Sequence, residues 1–511
     1  MKPTDHATFL KRVRLHSRNV DCADPPFRTI LVANRGEIAV RVIRTAKAMG
    51  IRTVAVYSEA DRSSLHALVA DEAVYIGGPE PRDSYLNIEA VIGAAKKTGA
   101  EAVHPGYGFL AQRADFVERL EEEGITFIGP PARIQRLVGD KLGARRFFQG
   151  AGVEVVPGTF TAVEAKDAPS IAEELGYPVI VKPAGGGGGI GMRIAWSEEE
   201  LVKAMRDASE LAGKAFGRLE VYLEKYLPKA RHIEVQVIGD GRGGVLHLFE
   251  RECSVQRRFQ KVVEEAPSPA LDDERRERLL SIALKAAKAC EYVNAGTFEF
   301  LYDPSTDKFY LLEVNSRIQV EHPVTEMITG IDIVREQILV AAGEGTSFKQ
   351  EEVELRGHAI EARVYAEDPL NGFAPSPGVL KAYRPPEGPW VRVDSGYYAG
   401  SEVPMYYDPL LMKIVCWGAT REEARRRLVT AIEETVVEGV ATNLALLHLV
   451  LNSEPFVSGD YNTRILEDWG LLDKLGEYTY RRAAVGRPVK EASPAPKAVE
   501  AWKLAARFYG A

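Results

Sequence analysis

Glu313-Val-Asn-Ser-Arg317-Ile-Gln-Val-Glu321 alternates polar residues with small or apolar ones without a break. An extended chain sends successive side chains to opposite faces, so Glu313, Asn315, Arg317, Gln319 and Glu321 are expected to project one way. Upstream, Gly296-Thr-Phe-Glu299-Phe-Leu-Tyr302 reads as a second strand, and the turn-rich residues 303–308 predict a hairpin between the two. A symmetric hairpin sets Glu299 opposite Leu312 or Glu313, where paired Cβ atoms lie about 5 Å apart. Carboxylates that close repel unless a cation lies between them. Glu299, Glu313 and the side-chain oxygen of Asn315 suit a hard divalent ion such as Mg²⁺, which keeps few protein ligands and takes the rest from phosphate and water. A solvent-washed strand is the competing reading, but it does not need an acidic partner strand.

A second motif points to the phosphate. Pro178-Val-Ile-Val-Lys182-Pro-Ala-Gly185-Gly-Gly-Gly-Gly189-Ile-Gly191-Met is an apolar strand, one lysine and a glycine run. Glycine lets backbone N–H groups approach an anion, and the lysine adds a point charge. Gly186, Gly188 and Gly191 fit G-x-G-x-x-G, yet Met192-Arg-Ile-Ala-Trp196 follows, which reads as a strand and not the helix a dinucleotide fold requires. The P-loop pattern does not occur. A strand, glycine-rich loop and strand would make a flap over a nucleotide.

These residues resemble the ATP-grasp superfamily through Lys182 and its loop, Glu224-Lys-Tyr-Leu227, and the Glu299, Glu313 and Asn315 set. Further segments narrow the resemblance to biotin carboxylases: Val32-Ala-Asn-Arg-Gly-Glu-Ile-Ala39, His104-Pro-Gly-Tyr-Gly-Phe-Leu110, Gln256-Arg-Arg-Phe-Gln-Lys-Val-Val-Glu-Glu265, Arg317-Ile-Gln-Val-Glu-His-Pro-Val-Thr-Glu326, Ala366-Glu-Asp-Pro369 and Pro375-Ser-Pro-Gly378. The resemblance runs from about Arg28 to about Leu472.

It implies that ATP phosphorylates bicarbonate to carboxyphosphate, which decomposes to CO₂ and phosphate. The phosphate then deprotonates the ureido nitrogen of biotin, and the enolate captures CO₂. Two Mg²⁺ or Mn²⁺ ions would sit on Glu299, Glu313 and Asn315, because phosphoryl transfer is mostly positioning and charge neutralisation. Lys141, Lys182, Gly188 and Gly189 resemble the phosphate contacts. Backbone groups of Lys225 and Leu227 would read adenine, with Glu224 accepting from its amine, and His232 resembles a ribose or phosphate contact. Arg317 would grip bicarbonate bidentately, with Lys261, Gln319 and the N–H of Val320 around it and Glu321 as the base. Arg363 resembles the arginine that stabilises the biotin enolate. The chain departs from the family pattern at Phe259, where a histidine is usual, and at Ala111-Gln112-Arg113, where Ser-Glu-Asn is usual.

The resemblance implies a multidomain α/β and α+β chain: a parallel-sheet N-terminal (pre-ATP-grasp) domain over 28–140, an ATP-grasp domain over 141–355 with a mobile flap at about 155–228, and a strand-rich C-terminal domain over 356–475. Residues 1–27 read as a basic leader and 476–511 as a linker and amphipathic tail. The βαβ pattern around the apolar runs at residues 29–33, 53–57 and 102–104 supports the first of these domains. Net charge −8 and pI about 5.8 exclude nucleic acid and anionic membrane as main partners. Cys22, Cys253, Cys290 and Cys416 lack metal-like spacing, so a reducing cytoplasm is expected. The partners that the resemblance further implies are a biotin carboxyl carrier protein and a carboxyltransferase subunit. It also implies a homodimer and an acetyl- or propionyl-CoA acceptor, with pyruvate as the alternative. Lys413 sits in an apolar strand-like run, Leu411-Met-Lys-Ile414, unsuited to presenting biotin, so biotin is expected on a separate carrier. Residues 498–509 are expected to dock on the body or on that carrier.

Overall fold

The computed structural model describes residues 25–184, 191–216 and 220–480. The leader before residue 25, the glycine run with Gly188 and Gly189, and the tail after 480 lie outside the described residues. The first sheet is parallel, in the order β3 (Glu72–Tyr75), β2 (Arg52–Tyr57), β1 (Thr29–Val32), β4 (Ala102–His104), β5 (Thr126–Phe127). Ile30, Leu31 and Val32 are wholly buried because helices cover both faces of such a sheet, so its strands read as continuous apolar runs. Helix Gly36–Ala48 follows β1 and buries Ile38, Val42, Ile43 and Ala46 against it.

The flap carries a three-stranded sheet with β6 (Val179–Pro183) between β7 (Arg193–Ala195) and β8 (Val221–Lys225). Val179 pairs with Ala195 across the antiparallel β6–β7 hairpin, so the segment after the glycine run is a strand. Helices Ala168–Leu175 and Glu198–Phe216 accompany that sheet, and its apolar core is separate from that of the main body.

An eight-stranded antiparallel sheet forms the body. It begins with β13 (Lys308–Asn315), β12 (Asn294–Asp303), β9 (Arg231–Gly239), β10 (Val245–Arg257), β11 (Gln260–Ala266) and β14 (His358–Tyr365), and ends with strands Leu410–Gly418 and Val391–Ser395. Residues of the expected C-terminal domain therefore extend the ATP-grasp sheet, because the free edge of β11 pairs with β14 (Val263 opposite Ala362). Helices Arg421–Glu434 and Leu444–Leu451 close the apolar core on that end.

The strand containing Glu313 is shorter than the alternation predicts. It stops at Asn315, and residues 316–321 form an irregular loop that enters helix His322–Thr329 with Glu321 as N-cap and Pro323 in its first turn. Proline suits that position because it lacks the N–H a first turn leaves unbonded. The loop carbonyls take their bonds from outside any strand ladder: Ser316 O from Gln135 Nε2 at 3.1 Å, Gln319 O from the N–H and Nδ1 of His322, and Val320 O from the Lys413 side chain, Nζ, at 2.7 Å.

Candidate active site

The hairpin sets Glu299 opposite Glu313, and on its other side β9 sets Glu234 opposite Glu299. Arg251 of β10 stands opposite Glu234. Directly opposed residues share a face, so one row of charges, Arg251, Glu234, Glu299 and Glu313, crosses four strands. Arg251 is wholly buried. It is tolerated because its nitrogens donate to Glu234 Oε1 (2.5 Å), Gln236 Oε1 (2.8 Å), Thr325 Oγ1 and Thr297 Oγ1 (both 3.0 Å).

Lys261 is the hub of the row. Its ammonium lies 2.6 Å from Glu234 Oε2, 3.1 Å from Glu299 Oε1 and 2.5 Å from Glu321 Oε1. The other oxygen of Glu321 accepts from Arg363 at 2.9 Å, and Arg363 also pairs with Glu264. Burial pushes the Glu321 carboxyl up, but Lys261, Arg363 and Arg251 outweigh it and hold Glu321 well below the ordinary carboxylate range. Glu299 is likewise lowered, against burial, by Lys261 and His232. Glu264 is pushed up to about 7 by burial, with Arg363 opposing. Glu361, opposite Glu264, rises well above the ordinary value for the same reason, and neither of its oxygens has a hydrogen-bond partner.

Arg317 is half-buried and splayed over acceptors: Asn315 Oδ1 at 2.9 Å, Gln319 Oε1 at 2.5 Å and, from the first domain, Gln112 Oε1 at 3.0 Å. Gln319 Nε2 and Asn315 Nδ2 both donate to Glu299 Oε1, at 2.6 and 2.8 Å. The structure thus brings Lys261, Glu299, Asn315, Arg317, Gln319, Glu321 and Arg363 into one connected network.

The nucleotide residues are arranged differently from expectation. Both oxygens of Glu224 are taken, one by Lys182 and one by Arg145, so its carboxylate is directed at these cations. The Lys225 N–H donates to Pro157 O (2.8 Å) and its side chain to Gly176 O (2.7 Å), whereas Leu227 N–H has no partner among the described residues. His232 Nε2 lies 2.9 Å from Glu299 Oε2. The Gln256 amide nitrogen lies 2.8 Å from both Cys253 O and His232 Nδ1, the ring nitrogen that does not face Glu299. Lys141 opens helix Lys141–Gly150, capped by Asp140. Phe259 and Arg258 both have positive φ and form the two-residue β10–β11 turn that presents Lys261.

Two triads crowd enough ligand atoms to suggest a metal: His232, Glu234 and Glu299, and Glu234, Cys253 and Glu321. The Lys261 ammonium already neutralises both, and burial pushes the Cys253 thiol up, so neither suits a cation. The hairpin pair shares Glu299 with the first triad but adds a carboxylate that no cation neutralises among the described residues. Glu313 is half-buried, faces Glu299 and makes no hydrogen bond or ion pair among the described residues, an oxygen donor left for a hard divalent ion. Arg251, Glu234, Gln135 and Lys413 escaped the sequence reading of the site. The alternation His232, Glu234, Gln236 and an arginine set between two glutamates, Glu250-Arg251-Glu252, in a strand were signals for the first two; Gln135 and Lys413 had none.

Three family models match the chain: "Biotin carboxylase, N-terminal domain" over residues 26–134, "Carbamoyl-phosphate synthase L chain, ATP binding domain" over 140–348, and "Biotin carboxylase C-terminal domain" over 361–468. Biotin carboxylase 1 of Bacillus subtilis is 50% identical over 446 residues, 87% of this chain and 99% of that protein. A pyruvate carboxylase subunit from Methanothermobacter thermautotrophicus is 50% identical over 444 residues, 87% of this chain and 90% of its own. Among solved structures, the biotin carboxylase domain dimer of Hydrogenobacter thermophilus 2-oxoglutarate carboxylase, in complex with MgADP, ADP and bicarbonate, superposes with TM-score 0.86 at 47% identity, covering 89% of this chain and 99% of that one.

Proposed function

The chain belongs to the biotin carboxylase family, and from that premise we propose that it carboxylates biotin with ATP and bicarbonate through carboxyphosphate. The observation that carries this reading is the unbroken chain Glu299–Lys261–Glu321–Arg363, joined to Arg317 through Asn315 and Gln319, which puts a cationic fork, an ionised carboxylate and a second arginine in one network. Arg317 grips bicarbonate, a planar oxyanion that a guanidinium matches bidentately, with Lys261, Gln319 and the Val320 N–H alongside. Glu321, held ionised, accepts the bicarbonate proton. Arg363 then stabilises the enolate oxygen of biotin.

Glu299, Glu313 and Asn315 would hold Mg²⁺ or Mn²⁺, whose charge supplies neutralisation of the phosphates during transfer. Lys141, Lys182, Gly188 and Gly189 serve the phosphates, and Lys225 and Leu227 read the base. Once nucleotide enters, Glu224 keeps Lys182 oriented and His232 orients Glu299.

Biotin arrives on a carrier protein, and a carboxyltransferase passes the carboxyl group to an acyl-CoA. Buried Lys413, with no exposed surface, cannot itself be biotinylated. The pyruvate alternative draws support from the M. thermautotrophicus relative; the propionyl-CoA carboxylase alpha chain of Ruegeria pomeroyi, 47% identical, supports the acyl-CoA reading. A homodimer fits the dimeric H. thermophilus domain. No described helix is long and apolar enough to cross a membrane, and the three described cysteines are free thiols, which fits a cytoplasmic enzyme.

The test is ATP cleavage that requires bicarbonate and accelerates with free biotin. Glu313→Gln is expected to abolish it while the protein still melts cooperatively. Near-parental turnover of that variant at saturating Mg²⁺ would remove Glu313 from the metal site, and biotin-independent cleavage by the parental chain would remove the function.

A further inference from the structure

Lys413 lies on strand Leu410–Gly418, far in sequence from every residue of the pocket, and has no exposed surface. Its ammonium donates to Val320 O at 2.7 Å and pairs with two acids from other parts of the molecule: Glu37 Oε1 at 3.1 Å on the helix of the first domain, and Asp394 Oδ2 at 3.7 Å on strand Val391–Ser395. Asp394 already has a bidentate partner in Arg392, at 3.0 and 2.8 Å. Glu37 also accepts from Tyr107 Oη. The Val320 carbonyl differs from these acids, since the sheet ended five residues earlier and no backbone N–H reaches it among the described residues.

From this placement we infer that Lys413 is a positioning residue for the bicarbonate pocket: its ammonium holds the Val320 carbonyl and so sets the peptide plane between Val320 and Glu321. The inference rests on the biotin carboxylase reading above. A peptide unit is planar, so fixing Val320 O also fixes the Glu321 N–H and the ψ angle of Val320. The Val320 N–H offered to the anion and the Glu321 side chain are attached at the two Cα atoms that end that peptide unit. Gln135 does the same at the other end of the loop through Ser316 O. The loop between them has no ladder of its own; His322 holds the Gln319 carbonyl, and these two donors from separate domains hold its ends. Nothing in the Lys413 contacts touches the nucleotide residues, so its loss is expected to act on bicarbonate alone.

The test compares Lys413→Met with the double variant Lys413→Met/Glu37→Gln, which also removes the acid left without its cation and keeps an acceptor for Tyr107. In both, the KM for bicarbonate in the ATP-cleavage assay is expected to rise at least tenfold while the KM for ATP stays within twofold. The double variant is expected to recover the parental melting temperature without recovering the bicarbonate KM, a split that a merely structural ion pair would not produce. Parental bicarbonate KM in either folded variant, an equal rise in both KM values, or failure of both variants to melt cooperatively would overturn the inference. A parental chain without bicarbonate-dependent ATP cleavage would instead overturn the functional reading, and the inference with it.

Discussion

Replacing Lys261 by methionine removes the one cation shared by Glu234, Glu299 and Glu321 while keeping the length of the side chain. Its ammonium stands 2.6, 3.1 and 2.5 Å from the three carboxylates, with only 12% of the side chain exposed. Removing one partner of a buried pair costs about 3–5 kcal/mol, because the other charge stays buried and uncompensated. Arg251 still holds Glu234 and Arg363 still holds Glu321, so Glu299 bears most of the loss and the lower end, about 3 kcal/mol, is expected. That is a large share of the roughly 5–15 kcal/mol by which a folded domain is stable.

The sign with pH follows from the carboxylates. In the parent, Glu299 and Glu321 titrate well below their unfolded value of 4.5, so their stabilisation is present above that value and is lost as acid protonates the folded state. Without Lys261, burial is opposed at Glu299 chiefly by His232, so its folded value is expected to rise. The deficit of the variant relative to the parent then narrows as pH falls through that raised value. Native-state hydrogen exchange of the β9 and β12 amides reads this locally: about 3 kcal/mol corresponds to a roughly 100-fold loss of protection at pH 8. A deficit under 1 kcal/mol at pH 8, or one that does not narrow as pH falls, would refute the placement of Lys261 as the hub.

Two further outcomes are expected. Arg317→Ala should lose both biotin-stimulated ATP cleavage and carboxybiotin formation, whereas Arg363→Ala should lower carboxybiotin formed per ATP cleaved; parental carboxylation of free biotin by Arg363→Ala would refute its role at the enolate. Glu264, raised to about 7 from 4.5, makes the fold less stable as pH rises through that window, so Glu264→Gln should flatten the decline in melting temperature between pH 4.5 and 7, and a variant whose melting profile parallels the parent's would count against the raised value.

Much of this site is written locally. Glu299 and Glu313 are fourteen residues apart in one hairpin, and the period-two rule with a short turn suffices to place them face to face. The strand character of Met192-Arg-Ile-Ala-Trp196 and the parallel sheet built from β1, β2 and β4 are legible for the same reason: each depends on near neighbours and on apolar runs that must be buried. What the sequence could not determine is where the alternation after Asn315 stops mattering. Val314, Ile318 and Val320 carry the pattern of a continuing strand, but a strand also needs its N–H and C=O groups paired, and the pairing with β12 ends at Thr297 opposite Asn315 although β12 itself runs on to Asn294. The carbonyls go to Gln135 and Lys413, about 180 residues before and 90 after in the chain. The Lys261 hub is decided in the same way, since its three carboxylates come from three elements that meet only when the sheet assembles. A hydrogen bond or ion pair is short-ranged, so its partners are set by which backbones the fold brings within about 3 Å, and for Lys413 and Lys261 only the tertiary structure makes that choice.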